Sequence, residues 1–240
     1  FHLEKAKKIT GADAAIIIMS GDYVQRGIPS IMPKHLRTQM ALACGADVVL
    51  ELPVCYATGS AEYFATGAVS LLEALGCVDY LCFGSECGEI KLLQQIADVL
   101  CKEPAHYKVL LQKHLKNGNT FPAARKLAFI EYLNQHKSLS CIPEQISAIL
   151  DSPNILGIEY LKALSCLNSF IEPVTITREG AGYHDQTLGG LFSSASALRQ
   201  GLQDCELTKN ANHTPAINHI LRELPQNCHK IFKENYHKCF

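Results

Sequence analysis

A cluster of polar residues follows the first strongly apolar run of the chain. The run Ala14–Met19 ends at Ser20-Gly21-Asp22, and the polar stretch beyond it ends in Gln25-Arg26-Gly27. In an open parallel α/β sheet, ligands bind beyond the carboxyl ends of the strands. A hydroxyl, a glycine, an amide and a guanidinium at that position suit an anionic or nucleotide ligand. A surface turn that happens to carry an arginine is an equally good interpretation of this stretch alone.

A second candidate for anion binding is Arg178. It follows the apolar run Phe170–Thr177 and precedes Gly180 and Gly182, which leave room for a ligand beside it. A guanidinium in that position can clamp a phosphate or a carboxylate through two charge-assisted hydrogen bonds. A surface salt bridge is the alternative interpretation.

Two predicted helix starts carry polar groups that could hold a nucleotide. Asn154 precedes the helical pattern ILGIEYLKAL, where an amide commonly serves only as a helix cap. Ser194, Ser196 and Arg199 lie in the stretch SSASALR. Two hydroxyls at a helix N-terminus, with an arginine one turn further on, suit a phosphate oxyanion. A plain serine-capped helix is the alternative here.

The cysteines do not predict a metal centre. The chain has 11 of them, scattered without a Cys-x-x-Cys pair. The tail Cys228-His229…His237…Cys239 matches no standard zinc spacing, so we predict no protein-held metal. The start, FHLEKAKKIT, has no signal-peptide pattern, so reduced cysteines in a cytoplasmic protein are expected.

Apolar runs alternate with amphipathic helical patterns through the first part of the chain. Strands are predicted over 14–19, 47–52 and 79–83, and helices over 1–10, 33–44, 61–75 and 90–100. The third strand ends at Gly84-Ser85-Glu86, a second glycine-containing loop. Strands and helices that alternate at this spacing predict an α/β fold with a parallel, doubly wound sheet. We expect the loops Ser20–Gly27, Gly84–Glu86 and Arg178–Asp185 to face one cleft.

The second half is mostly helical by pattern. Helices are predicted over 104–116, 122–135, 143–150 and onward from Asn154, before a strand at 170–177 and a helix that reaches residue 200. The signal weakens after about residue 205.

The composition is that of an ordinary globular protein, with 48% hydrophobic and 19% charged residues. A net charge of −1 means that any surface for nucleic acid must be a local basic patch. No apolar run approaches the roughly 18 residues of a membrane span, so no membrane partner is predicted. The chain has no initiator methionine and begins inside a helical pattern, so a truncated N-terminus is expected.

Six motifs occur in order between residue 1 and about residue 205. They are MSGDYVQRG, ELPVCYATGSAEYFATGAVSLLEALG, YLCFGSE, PNILGIEYLKAL, TREGAGYHD and SSASALR. Together they resemble the bacterial tRNA(Met) cytidine acetate ligase family, nucleotidyltransferase-like proteins of the His-x-Gly-His superfamily. The resemblance implies a Rossmann-like parallel sheet of the nucleotidyltransferase type over 1–205. It also implies a helical insertion over about 101–168 and a helical C-terminal region that starts in 206–240.

The resemblance also assigns roles to individual residues. It implies that Gly84, Asn154 and Arg178 bind ATP, and that Ser194, Ser196 and Arg199 form a second phosphate motif. That motif is Ser-Ser-Thr-x-x-Arg in related nucleotidyltransferases, and Ser196 keeps a hydroxyl at its third place. Polar positions of the family's first loop and helix are matched by Gln25, Arg26, Lys34 and Arg37.

The activity that the resemblance implies is ATP-dependent activation of acetate to acetyl-adenylate, with Mg²⁺ on the phosphates. The acetyl group then passes to N4 of the wobble cytidine of elongator tRNA(Met). Arg178 and Arg199 would act catalytically by neutralising phosphate charge. Phosphate contacts to tRNA could come from Lys34, Arg37, Lys113, Lys116, Arg125 and Lys126, each of which is equally well a solvated surface charge.

Two features depart from the family's pattern. Its first strand and Asn-Pro-Phe-His-x-Gly-His loop would precede Phe1, so we expect this chain alone not to be fully active. Many relatives have Pro-Asn-Asn where this chain has Pro153-Asn154-Ile155. Two alternatives stay open, an adenylyltransferase for a phosphorylated metabolite and a non-catalytic module that binds tRNA or a nucleotide. The oligomeric state cannot be inferred from the sequence.

Overall fold

The computed structural model describes residues 1–136, 149–150, 154–178, 199–200 and 220–236. The chain forms two compact units, Phe1–Ser60 with Arg178–Phe240 and, separately, Ala61–Thr177. The strands are β1 (Ile16–Ser20), β2 (Val48–Leu52), β3 (Tyr80–Ser85) and β4 (Glu172–Thr177). The helices with defined bounds are α1 (His2–Thr10), α2 (Lys34–Ala43), α3 (Val54–Ala57), α4 (Ala61–Leu75), α5 (Ile90–Lys102), α6 (Ala105–Lys116), α7 (Phe121–His136), α8 (Asn154–Cys166) and α9 (His229–Asn235).

The first unit is organised by the parallel pair β1–β2. Its register runs from Ile16 opposite Val48 to Ser20 opposite Leu52. Parallel neighbours need a crossover connection, and α2 supplies it. A small apolar cluster in the same unit is formed by Met32, Ile220, Leu221 and Phe232.

The second unit is organised by the parallel pair β3–β4, with Tyr80 opposite Glu172 and Ser85 opposite Thr177. Helix α8 packs against α4 and α5, and α6 packs against α7. Gly157 lets α8 approach β3 closely, because a Cβ there would lie 2.6 Å from the ring of Phe83. The first residue of α8 is thereby held near the carboxyl end of β3.

The predicted strands are all present, with bounds that differ by a few residues at most. The α/β class and the parallel direction are confirmed. The expectation of one sheet is wrong for the described strands, which pair as two separate two-stranded sheets. An apolar run specifies that a strand is buried, but it carries no information about which other strand becomes its hydrogen-bonded neighbour.

Several predictions lie outside the described residues. These include most of the helix expected over 143–150, the glycine-rich loop after Arg178, and the serines of SSASALR. The predicted boundary near residue 205 also lies there and stays a prediction. Among the helices that the structure describes, none has the length and apolar character needed to cross a membrane.

Candidate nucleotide-binding site

The carboxyl end of β3 meets the start of α8 in the second unit. Asn154, the first residue of α8, is only 2% exposed. Its side-chain Oδ1 accepts a hydrogen bond from the backbone N–H of Glu86 at 2.7 Å. This bond ties Asn154 to the loop that carries Gly84, and the assignment of both residues to a nucleotide stays a prediction. The buried amide ties two distant segments together, a role beyond that of a helix cap.

The loop Gly84–Gly88 is held from inside by a hydroxyl. Ser85 is fully buried, and its Oγ accepts a hydrogen bond from the Gly88 N–H at 3.0 Å. Gly88 has φ +66°, and a Cβ at this position would come 2.2 Å from the Thr177 hydroxyl. Only glycine fits both the left-handed backbone and the close contact. The resulting turn is compact, as a loop that brings its backbone close to a ligand must be.

Sequence reasoning noted Ser85 only as part of a loop and missed Thr175 altogether. The Oγ1 of Thr175 lies 2.7 Å from the Oγ of Ser85 and 3.2 Å from the carbonyl oxygen of Phe83. The sequence of β4 does not distinguish a threonine that bonds a neighbouring strand from one that faces solvent. No sequence signal could have paired these two residues.

Arg178 follows the last residue of β4 and is exposed. It belongs to the first unit, where its charge acts on His2. The pKa of His2 is lowered chiefly by burial, then by the N-terminal amino group and by Arg178. An imidazole in these surroundings favours its neutral form near pH 7. The assignment of Arg178 to phosphate stays a prediction.

The first loop is built around a strained turn. Gln25–Gly27 form a single 3-10 turn in which Arg26 has φ +66°. Its backbone N–H donates to the carbonyl of Thr58 at 3.3 Å. A non-glycine residue in the left-handed region is uncommon and is held there only by its surroundings. Arg26 is exposed and Gln25 is half-buried.

Arg37 bonds to the backbone around the first loop. Its Nη2 donates to the Ser20 carbonyl at 3.0 Å and also to the Gly21 carbonyl, and its Nε donates to the Met32 carbonyl at 3.1 Å. Burial lowers the pKa of Arg37, but a guanidinium keeps its charge at neutral pH. The Arg37 side chain therefore anchors the first loop, which begins after Ser20.

Lys34 is engaged at the same end of β2. Its Nζ lies 2.8 Å from the Glu51 carboxylate, and this hydrogen bond raises the pKa of Lys34. The backbone N–H of Lys34 donates a hydrogen bond to the Asp22 carboxylate at 2.9 Å, and Asp22 thereby caps the start of α2. The predicted phosphate contacts of Lys34 and Arg37 are untested, and the structure assigns both residues a role in holding the loop.

The remaining predicted site residues are only partly described. Arg199 is helical and half-buried, whereas Ser194 and Ser196 lie outside the described residues. Of the basic residues considered for tRNA, Arg125 pairs at 2.7 Å with the buried Glu159, and Lys113 pairs with Glu131 at 2.9 Å. Lys116, at the end of α6, is exposed.

The described part of the chain contains no group of three or more His, Cys, Asp or Glu residues placed to hold a metal ion. In the tail, the Sγ of Cys228 lies 3.0 Å from the Sγ of Cys44. The ring of His229 is hydrogen-bonded to the Leu224 carbonyl at 2.9 Å.

The fold and this site define a class of protein. The family model for HIGH Nucleotidyl Transferase matches residues 1–240, and the chain belongs to that family. It is 50% identical over 213 residues to a tRNA(Met) cytidine acetate ligase of Clostridium botulinum (strain Okra / Type B1). This match covers 88% of the chain and 51% of the relative. A relative of the same name in Halothermothrix orenii is 41% identical over 237 residues, or 98% of the chain and 54% of the relative.

Two crystal structures of Thermotoga maritima TmcAL share the fold. The apo form I matches with a TM-score of 0.88 and 35% identity, over 99% of this chain and 53% of the other. The form bound with alpha-thio ATP matches with a TM-score of 0.85 and 34% identity, over 99% and 52%. The chain spans about half the length of the relatives that it matches.

Proposed function

We propose that this chain is the ATP-binding part of a tRNA(Met) cytidine acetate ligase. Relatives of that name reach 50% identity, and a neighbour with the same fold binds an ATP analogue. The observation that carries the proposal is the hydrogen bond between Asn154 and Glu86. It ties two of the motifs that resemble the ligase family to each other at the carboxyl end of a parallel strand pair, through a buried amide.

The proposed reaction has two steps. The carboxylate of acetate attacks the α-phosphorus of ATP, the bond to the β-phosphate oxygen breaks, and pyrophosphate leaves. The N4 amine of the wobble cytidine then attacks the activated carbonyl, AMP leaves and the amine loses a proton. Both steps depend on positioning and charge neutralisation more than on an acid or base.

Individual residues have separate tasks in this scheme. The backbone at Gly84 and the amide of Asn154 hold the nucleotide, and Ser194 and Ser196 bond phosphate oxygens. Arg178 and Arg199 neutralise charge that develops on the phosphates. Gln25 and Arg26 of the first loop contribute further polar contacts to substrate.

Mg²⁺ would accompany ATP and neutralise phosphate charge. ATP-bound Mg²⁺ is typically held by phosphates, water and one or two carboxylates, so it needs no dedicated cage of protein ligands. That requirement suits the described residues, which offer no cluster of carboxylates and histidines.

The proposed partner is elongator tRNA(Met), whose wobble cytidine must be unstacked to be acetylated. Exposed lysines such as Lys116 would contact its phosphates. An enzyme that modifies tRNA works where tRNA is found, so we place this protein in the cytoplasm.

Acetylation of tRNA by the full-length protein tests the proposal. The protein encoded by the complete reading frame is incubated with ATP, Mg²⁺, labelled acetate and a tRNA(Met) transcript. We expect label at the wobble cytidine, and none in a matched transcript with uridine there. Pyrophosphate release that needs a phosphomonoester, and ignores acetate and tRNA, would instead identify an adenylyltransferase.

Arg178 gives the sharpest test of the nucleotide assignment. In the full-length protein, Arg178→Ala should slow ATP- and acetate-dependent pyrophosphate exchange by roughly 30- to 1000-fold. Arg178→Lys should recover only part of the loss, because lysine cannot make the bidentate contact. Binding of tRNA without ATP should change little. If Arg178→Ala supports pyrophosphate exchange at nearly the wild-type rate, Arg178 does not bind the nucleotide and is only a surface charge.

A further inference from the structure

Two hydroxyl groups form a chain of hydrogen bonds that joins the loop Gly84–Gly88 to β4. The chain runs from the Gly88 N–H to Ser85 Oγ at 3.0 Å, from Ser85 to Thr175 Oγ1 at 2.7 Å, and from Thr175 to the Phe83 carbonyl at 3.2 Å. Ser85 is completely buried. The link between Ser85 and Thr175 connects the loop to β4.

The two hydroxyls of this chain join the loop, β3 and β4. Ser85 Oγ accepts from the Gly88 N–H. The Thr175 hydroxyl lies within donating distance of both Ser85 Oγ and the Phe83 carbonyl oxygen. A hydrogen-bonded network of this kind favours one geometry, and loss of one member removes a bond from each of its partners.

The loop is held at three points as a result. Asn154 bonds the Glu86 N–H, Ser85 bonds the Gly88 N–H, and the hydroxyl of Thr177 packs directly against Gly88. The three holding side chains are neutral. They fix the direction of the loop's backbone dipoles without adding a net charge to the site.

We propose that Ser85 and Thr175 are positioning residues for the nucleotide. They hold the backbone of Gly84–Gly88 in the conformation that receives ATP, and they act through the loop without touching the ligand. This inference rests on the proposed function only in its assignment of ATP to this loop. Its consequence is selective, because loss of either hydroxyl weakens ATP binding and leaves the acetate and tRNA steps unchanged.

The test compares Ser85→Ala with Ser169→Ala in the full-length protein. Ser169 is the control, because its Oγ also accepts a backbone N–H, that of Ile171 at 3.0 Å, and its hydroxyl also bonds another side chain, the carboxylate of Glu73, but it lies just before the first residue of β4, at the end of the strand pair away from the loop. ATP affinity is measured by equilibrium dialysis at a temperature where circular dichroism shows every variant folded. We expect Ser85→Ala to weaken ATP binding by roughly 5- to 50-fold and Ser169→Ala to leave it unchanged.

A second pair of variants serves if Ser85→Ala does not fold. Thr175→Val removes the hydroxyl at constant shape, and Thr175→Ser keeps it. We expect Thr175→Val to raise the KM for ATP with the KM for acetate and tRNA unchanged, and Thr175→Ser to restore the wild-type value. Equal ATP affinity in Thr175→Val and Thr175→Ser overturns the inference, as does equal loss in Ser85→Ala and Ser169→Ala.

Failure of the proposed function has a different outcome. A wild-type protein that binds ATP without acetylating tRNA contradicts the ligase assignment. The same protein still supports the positioning role if Ser85→Ala weakens its ATP binding.

Discussion

The two strand pairs end in loops that are held by different kinds of side chain. After β1, the loop is anchored by charged groups, with Arg37 bonded to the Ser20, Gly21 and Met32 carbonyls and Lys34 paired with Glu51. After β3, the loop is anchored by the neutral side chains of Asn154, Ser85 and Thr175.

The contrast separates anchoring from recognition. When a cation is bonded to carbonyls or paired with a carboxylate, those groups compensate much of its positive charge within the fold. Where the anchors are neutral, an anionic ligand interacts with the oriented backbone dipoles and with any arginine that contacts it. Polar residues after a strand therefore do not identify a ligand site until their partners are known.

Asn154 gives the largest expected effect. In the full-length protein, Asn154→Ala should weaken ATP binding on the order of 100-fold and lower the free energy of unfolding by about 1–3 kcal/mol, because the Glu86 N–H loses its buried acceptor. Titration calorimetry and urea unfolding measure the two effects. Asn154→Asp keeps an oxygen for Glu86, so it should restore stability but not ATP binding, since its charge opposes the phosphates. Wild-type ATP affinity in Asn154→Ala would remove this residue from the site.

Arg37 tests the charged anchor of the other loop. Arg37→Ala should lower the free energy of unfolding by about 2 kcal/mol, because three backbone carbonyls lose a charged donor. Urea unfolding measures the loss, and ATP affinity should fall far less than in Asn154→Ala. Unchanged stability with abolished ATP binding would reverse the comparison and make Arg37 a ligand contact. Arg37→Lys is the matched variant, and it should recover only part of the stability.

The pair Lys34–Glu51 should contribute less than Arg37. Both side chains are partly exposed, at 32% and 49%, and such pairs are screened by salt. A double-mutant cycle with Lys34→Met and Glu51→Gln should give a small coupling that declines as sodium chloride is raised. A large coupling that is insensitive to salt would show that this end of β2 is effectively buried.

The smallest effect is a dependence of stability on pH in the first unit. The Lys7 side chain at 2.7 Å, and then the Ala15 N–H at 2.8 Å, hold the pKa of Asp47 below its ordinary value of 3.8. The stability that ionised Asp47 contributes is therefore complete above about pH 4 and is lost as the pH falls through the lower, folded-state pKa. Thermal unfolding followed from pH 6 downward should show a shallower acid decline in Asp47→Asn than in the wild type. Parallel curves for the two proteins would contradict this origin.

Local pattern was sufficient for the elements of the fold. The runs rich in apolar and β-branched residues predicted β1 to β4, because such residues favour extended strands. The helix predicted over 1–10 is present as α1, and Gly11 after it has φ +70° and donates to the Lys7 carbonyl as a C-terminal cap does. The motifs around Gly84 and Asn154 also predicted the family, which is confirmed over the whole chain.

Tertiary structure alone decided what those residues contact. The sequence predicted that Asn154 is either a helix cap or a ligand-binding residue. Its hydrogen bond to Glu86 joins positions that are 68 residues apart. The sequence offered Arg125 only as a candidate for tRNA, and its guanidinium pairs with the buried Glu159, 34 residues away. Ser85 and Thr175 gave no signal, and they are linked across 90 residues. Hydrophobic periodicity and capping are local properties of the chain. The partner of a buried hydrogen bond is selected by which segments pack together, and that depends on the free energy of the whole fold.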